Sequence, residues 1–380
     1  MITWIEIEII SLIAFFSLVF LFILLEKRKN RVEFKYGIVI LRYKGFGKKV
    51  KEFVNKNRKI LSALGFASLC LTFALSIFGT YYIVNCAIHS QACFAVVLPT
   101  AGGYQIPGPV ISVPIFAWLT ILPILLIPHE FSHAIYSLYS KVKVKSYGLI
   151  FLFLLPIGAF VDPDNKKFKR IETKEKLFIL SAGSFSNFLT FLIILLILFI
   201  LGRFIVAAGI DYDVIENSPA YESKLAGSIL KINNTEVKDL ISLIKFLNKT
   251  KPNQTLEIET TKGKFIVKLA EHKDLKDRGF LGVINITQKF EYNFFGFTFP
   301  LGWESKYLIF LATATLGISI ANSLPIKPLD GGLIFEEILK KYFGSKKAKR
   351  ISNYISLLLF FILLYNLYLT SKFGFPLKLF

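Results

Sequence analysis

Two histidines and a glutamate stand in the order His129-Glu130-Phe131-Ser132-His133, inside an apolar run from Val113 to about Tyr139. On a helix, residues four apart share a face, with Cβ atoms about 5–6 Å apart. His129 and His133 can then each turn an imidazole nitrogen toward one metal ion. Glu130 sits beside the first ligand, where it can take a proton from a water held there. The competing reading is a pair of polar residues in a helix interface, but ionisable groups in lipid need a partner or a task. Two imidazoles leave a catalytic zinc short of its usual third protein ligand. The best-placed acid is Asp330, in Leu329-Asp330-Gly331-Gly332, beyond Pro325 and Pro328, which remove backbone donors and stop the preceding apolar helix. On this reading the chain unwinds there, and Asp330 lies on a loop at matching depth. An ordinary polar turn is the alternative.

These residues need apolar elements to position them. The chain of 380 residues is 54% hydrophobic, with mean hydropathy +0.56. Windows of about 20 apolar residues mark membrane spans, and they fall at Ile2–Leu25, Ile60–Val84, Val113–Tyr139, Leu177–Leu201, Tyr307–Pro325 and Ile351–Leu369. The first lacks a basic start and a small-residue cleavage site, so it reads as a retained span rather than a signal peptide. The net charge of +20 sits in short loops beside the spans. That is the pattern of cytoplasmic loops, not of a nucleic-acid surface. Residues 26–59 and 340–350 are therefore expected inside, with Tyr36–Tyr43 a strand and Lys48–Asn57 a basic amphipathic helix. Cys86–Pro109 is expected to be an irregular outer loop in which Cys86 and Cys93 could pair, while Cys70 simply packs within its span. Abundant Lys and Ile with a single Met read as a heat-adapted or AT-rich, archaeal composition.

Tyr147–Phe160 is apolar but too short to span, and Gly148, Pro156 and Gly158 disfavour a helix. It reads as a re-entrant hairpin of two short strands lining the site, its free edge able to hold a substrate segment as an added strand. In Ser181-Ala182-Gly183-Ser184-Phe185-Ser186-Asn187, the small residues allow close helix approach, and Asn187 is a candidate polar contact toward the site. Residues 205–292 turn polar, with strands at Leu256–Thr260 and Lys264–Leu269 and a helix at Val237–Asn248. Glu216-Asn217-Ser218-Pro219-Ala220, the run Leu225–Asn234 and a closing strand at Gly279–Val283 resemble a PDZ domain, although no carboxylate-binding glycine loop is evident near Asp211–Val214.

The His129–His133 motif, Pro156-x-Gly158-Ala159-Phe160, Gly183…Asn187 and Asn322-x-x-Pro325-x-x-x-Leu329-Asp330-Gly331 together resemble the site-2 protease family of intramembrane metalloproteases. Ser184 and Asp162 depart from residues common in that family. The resemblance implies one Zn2+ per chain held by His129, His133 and Asp330. It implies Glu130 as the water-activating base and Asn322 as a contact to substrate or the developing oxyanion. The expected fold is a polytopic α-helical membrane protein of about six transmembrane helices, with a membrane re-entrant β-hairpin and an inserted α+β PDZ-like domain. Its parts are 1–59 and 60–106 (the first two spans), 107–204 and 293–335 (the halves of the protease core), 205–292 (PDZ-like) and 336–380 (a basic segment and the last span). The expected function is hydrolysis of peptide bonds inside transmembrane segments of single-span membrane proteins, after a prior cut, in a cell membrane. The site would face the cytoplasm and the PDZ-like domain the outside, with no nucleic-acid partner. A proton or metal transporter, or an inactive PDZ-bearing scaffold, are the competing readings.

Overall fold

The computed structural model describes residues 4–45, 47–100, 106–237, 239–272 and 275–374. They form two compact units. One is the chain up to Leu195 together with the chain from Lys306; the other is Leu196–Ser305.

In chain order the first unit contains α1 (Trp4–Arg28), β1 (Val32–Lys35), β2 (Ile38–Lys44), α2 (Lys48–Lys56) and α3 (Arg58–Ile88). β3 (Val96–Thr100), β4 (Val110–Pro114), α4 (Ile115–Tyr139), β5 (Val144–Leu152), β6 (Leu155–Pro163), α5 (Asn165–Arg170) and α6 (Thr173–Gly202) follow. The second unit carries β7 (Ile205–Val214), α7 (Pro219–Glu222), β8 (Ile229–Ile232), β9 (Thr235–Glu236), α8 (Leu240–Leu247), β10 (Thr255–Thr260) and β11 (Gly263–Lys268). It ends with β12 (Ala270–Glu271), β13 (Gly279–Phe280), β14 (Val283–Phe294) and β15 (Phe297–Pro300). The chain returns to the first unit in α9 (Trp303–Ser323) and α10 (Asp330–Phe373).

Among the described residues, four helices are long and apolar enough to cross a membrane: α3, α4, α6 and α10. The apolar runs at Ile2–Leu25 and Tyr307–Pro325, expected as two further spans, are occupied by α1 and α9 and are not among these four. Leu324 and Pro325 fall outside α9 because the proline ring has no amide to extend the ladder. Val113 and Pro114, expected in the third span, instead end β4, which pairs in parallel with β3. The loop expected at Cys86–Pro109 is therefore partly strand; its Ala101–Tyr104 stretch lies outside the described residues. Gly344, at φ 72°, breaks α10 into two helical pieces.

The hairpin expected at Tyr147–Phe160 is longer, with two nine-residue strands, and it does not stand alone. β1 and β2 pair onto it to give a four-stranded sheet in the order β1-β2-β5-β6. Tyr36 and Gly37 both have positive φ (51° and 79°), the conformation of a tight hairpin turn. Tyr36 thus belongs to a turn, and the strand expected at Tyr36–Tyr43 starts instead at Ile38, with β1 paired to it across the turn. β2 covers the outer edge of β5, so β6 keeps a free edge.

Close helix packing is set by small residues. A Cβ on Gly65 of α3 would strike the ring of Phe178 in α6, and the Ser68 and Ser181 hydroxyls meet at 2.7 Å between the same helices. Ile83 of α3 packs with Leu324, Ile326 and Leu359, while the Asn366 amide donates to the Ile83 carbonyl at 3.0 Å. Cys70, Cys86 and Cys93 are free thiols. Cys93 donates to Asn366 Oδ1 instead of pairing with Cys86, and Cys70, expected to pack, is exposed.

The second unit is built on a sheet in the order β11-β10-β8-β7-β14-β15, with β9 paired to β8. Its core contains Ile210, Ile229, Ile232, Leu243, Leu256, Ile258 and Val267. The helix expected at Val237–Asn248 is shorter. Asp239 caps α8 in a reciprocal box with Ser242, and this fixes the first turn. The closing strand expected at Gly279–Val283 is split, because Gly282 at φ 86° separates β13 from β14.

Candidate metal centre

α4 delivers both histidines and the glutamate. Pro128 lies inside it, immediately before His129. The Nε2 atoms of His129 and His133 are 3.1 Å apart, with the rings nearly perpendicular at 79°. Asp330 Oδ2 lies 3.4 Å from the first and 3.3 Å from the second.

Each imidazole is oriented from behind by α6. His133 Nδ1 meets the Ile179 carbonyl at 2.7 Å. A carbonyl only accepts, so Nδ1 carries the proton and Nε2 presents a bare lone pair. His129 Nδ1 meets the side-chain amide of Asn187 at 3.2 Å. The atom placed there is Nδ2, while Asn187 Oδ1 is buried without a partner; the amide turned over puts that oxygen on an Nδ1–H and leaves His129 Nε2 bare, as in His133. Gly183 lies between these two supports, and a Cβ on it would press on both imidazoles. By its small size Gly183 reads as a packing residue between helices; its neighbours are the two rings.

Asp330 was expected on a loop, but it is the first residue of α10. A carboxylate in the first turn is favoured by the helix dipole. Gly331 and Gly332 make this possible, because a Cβ on either would collide with the backbone of Ser323–Lys327. Ion pairs fasten the same turn. Lys327 Nζ lies 2.6 Å from Glu336, Lys340 bridges Glu336 and Glu337 at 2.9 and 2.6 Å, and Lys176 of α6 reaches Glu337 at 3.2 Å. Ser319 of α9 donates to the Ser184 carbonyl of α6 at 2.6 Å, which fixes the helix leading into the turn.

Do these three residues suit a metal? Ligands about 2.05 Å from a tetrahedral zinc are about 3.3 Å from one another. The three measured edges are 3.1, 3.3 and 3.4 Å. Asp330 Oδ2 is buried and has no hydrogen-bond partner. With both Nε2 atoms bare, three converging acceptors repel one another unless a cation neutralises them. The donor set therefore fits a divalent ion, and among the described residues His129, His133 and Asp330 form a group able to hold one.

Glu130 is half-buried, and the backbone N–H of Val161 in β6 faces its carboxylate. This places the base between the metal centre and the hairpin edge. Asn322 is half-buried in the last turn of α9 and is not hydrogen-bonded to His129, Glu130, His133 or Asp330.

The family model described as Peptidase family M50 matches residues 117–365. The chain belongs to peptidase family M50. This is the site-2 protease family, whose members are zinc-dependent metalloproteases. With its four membrane-capable helices, this member of family M50 is a multi-pass membrane protein. The chain is also similar to an uncharacterised protein of the archaeon Methanocaldococcus jannaschii, with 28% identity over 240 residues that cover 62% of this chain. It spans about 60% of that relative's length. In this member of family M50, α1, β1, β2, α2, α3, β3 and β4 precede the matched region.

The Ile179 carbonyl and the Lys176–Glu337–Lys340–Glu336–Lys327 network emerge only from the structure. A backbone acceptor has no residue-type signal. The network had one, since Glu336 and Lys340 are four apart on a helix.

Proposed function

We propose that this chain is an intramembrane zinc metalloprotease that hydrolyses peptide bonds within transmembrane segments of other membrane proteins. The observation that carries this reading is the triangle of His129 Nε2, His133 Nε2 and Asp330 Oδ2, with edges of 3.1–3.4 Å, beside Glu130. When bound, zinc supplies a Lewis acid that polarises a carbonyl and brings the pKa of water to about 7. Glu130 accepts the proton from the attacking water and later delivers it to the leaving amine. The Val161 N–H holds the Glu130 carboxylate in place. Asn322 offers its amide to the substrate or to the oxyanion formed on the carbonyl.

A transmembrane helix hides its carbonyls in its own ladder, so the substrate must unwind before attack. The free edge of β6 offers backbone partners to the unwound stretch. The proposed substrates are single-span proteins already trimmed by another protease, as in regulated intramembrane proteolysis. The second unit acts as a PDZ-like filter outside the cell membrane, and water enters from the cytoplasmic side. The six-span arrangement, with α1 and α9 crossing as well, belongs to this proposal.

The test is cleavage of a model transmembrane helix in liposomes by wild type and Glu130→Gln, with zinc content measured on both. The proposal expects equal zinc and cleavage lost by Gln. Equal cleavage by both proteins removes Glu130 from its role.

A further inference from the structure

By sequence, residues 205–292 read as a polar, PDZ-like domain, yet one hairpin of the second unit presents an apolar face. β14 and β15 pair with Tyr292 opposite Phe299 and Phe294 opposite Phe297. Side chains two apart on a strand share a face, so Phe290, Tyr292, Phe294, Phe297 and Phe299 lie on one face. Phe290, Phe297 and Phe299 are 44%, 72% and 53% exposed, while Tyr292 is buried and Phe294 half-buried. Between Tyr292 and Gly302 there is no charged residue.

The turn breaks a local rule. Phe295 and Gly296 both have positive φ (53° and 94°). The first position of such a turn prefers Asn, Asp or Gly, and a bulky aromatic is unfavourable there. Phe295 nevertheless occupies it and is 93% exposed.

The register says where this tip lies. Tyr292 pairs with Ile205, the first residue of β7, and the Asn293 N–H donates to the Phe204 carbonyl at 2.8 Å. β14 therefore runs on past the start of β7, back toward the end of α6 at Gly202. The Phe204 ring sits 4.7 Å from Phe294 and 6.2 Å from Phe295 between centroids. Arg203 lies over the Phe199 ring at 5.3 Å, a cation at the end of an apolar helix. Aromatic rings and basic residues concentrate at the membrane–water boundary.

We propose that the β14–β15 hairpin is an interfacial membrane anchor, with Phe295, Phe297 and Phe299 seated in the headgroup–acyl boundary of the leaflet where α6 ends. Its partner is the lipid bilayer itself, and it ties the second unit to the membrane surface. The proposal rests on α6 being a membrane span.

The experiment uses the full chain in lipid nanodiscs, with tryptophan introduced as Phe295→Trp and, separately, as Phe297→Trp. Wild-type emission from Trp4, Trp118 and Trp303 is subtracted. Lipids brominated high on the acyl chain should remove most of the added emission, which should be blue-shifted and shielded from aqueous iodide. Emission open to iodide and unaffected by brominated lipid overturns the proposal. So does emission shielded from both, which would mean that protein, a partner or a second copy, covers the face. Ile193→Trp, on an exposed position of α6, separates the premises. If deep-brominated lipid fails to quench it, the span reading fails. If it is quenched and both hairpin variants are not, only the anchor fails.

Discussion

Gly183→Ala puts one methyl group where the site has no room. The added Cβ would lie 2.5 Å from His133 Nε2 and 2.6 Å from His129 Nε2, whereas ordinary contact begins at 3.4 Å. His133 must retreat by the difference, about 0.9 Å, and His129 by about 1 Å, because its Cε1 is nearer still at 2.4 Å. His133 cannot do so freely, because its Nδ1 contact to Ile179 at 2.7 Å would stretch to about 3.6 Å, beyond hydrogen-bond range. Helix propensity alone favours Ala over Gly by about 1 kcal/mol, while overpacking costs about 1–3 kcal/mol. The fold should therefore survive with a modest net loss. Metal binding should not, since losing outer support alone costs roughly 10–100-fold in affinity, and a displacement near 1 Å costs on the order of 100-fold in rate. Zinc content by mass spectrometry and melting with and without chelator are the assays. Wild type should lose stability to chelator; the variant should hold little zinc and show no chelator shift. A variant with a full equivalent of zinc and wild-type cleavage would refute the packing argument.

Other expectations follow from the same geometry. Asn187→Leu should weaken zinc about 10–100-fold by freeing His129, as read in a chelator competition, while leaving helicity unchanged. Glu337→Ala leaves Lys176, now held at 3.2 Å, without its counter-charge in a mostly buried network, while Lys340 keeps Glu336 at 2.9 Å. The substitution should cost about 2–4 kcal/mol in denaturant unfolding. Asp239 is held below the usual carboxylate range by the backbone N–H and side chain of Ser242. A carboxylate with a depressed folded pKa stabilises above its unfolded value, about 3.9, and loses that contribution as pH falls through the folded value. The second unit should therefore weaken below about pH 4, and Asp239→Asn, which still caps but does not titrate, should flatten that part of the melting profile. A methionine at Gly65, where even a Cβ strikes Phe178, should separate α3 from α6 and lower the melting temperature. An unchanged melt would show that the contact is slack.

Much of the centre was readable because its chemistry is local. A four-residue spacing on a helix brings two imidazoles together whatever the rest of the chain does. The carboxylate needed a different argument, from ligand number, and that argument found the residue while misjudging its backbone. The prolines at 325 and 328 do end α9, but Gly331 and Gly332 let a new helix begin against the turn, so Asp330 is helical. Gly183 showed only its size, and what fills the space above it depends on how α4 and α6 cross. The pairing of β2 with β5 runs through backbone groups more than a hundred residues apart. Nothing in the composition of Ile38–Lys44 announces that partner. The aromatic hairpin was in plain view as residues, yet its position opposite Ile205 comes from strand register alone.

X-ray absorption at the zinc edge tests the central claim most directly. The account predicts two imidazole nitrogens and oxygen donors at about 2.0–2.1 Å, with the imidazole signal halved in His133→Ala and the oxygen shell altered in Asp330→Ala. A spectrum with sulfur near 2.3 Å, or one left unchanged by both substitutions, would contradict it.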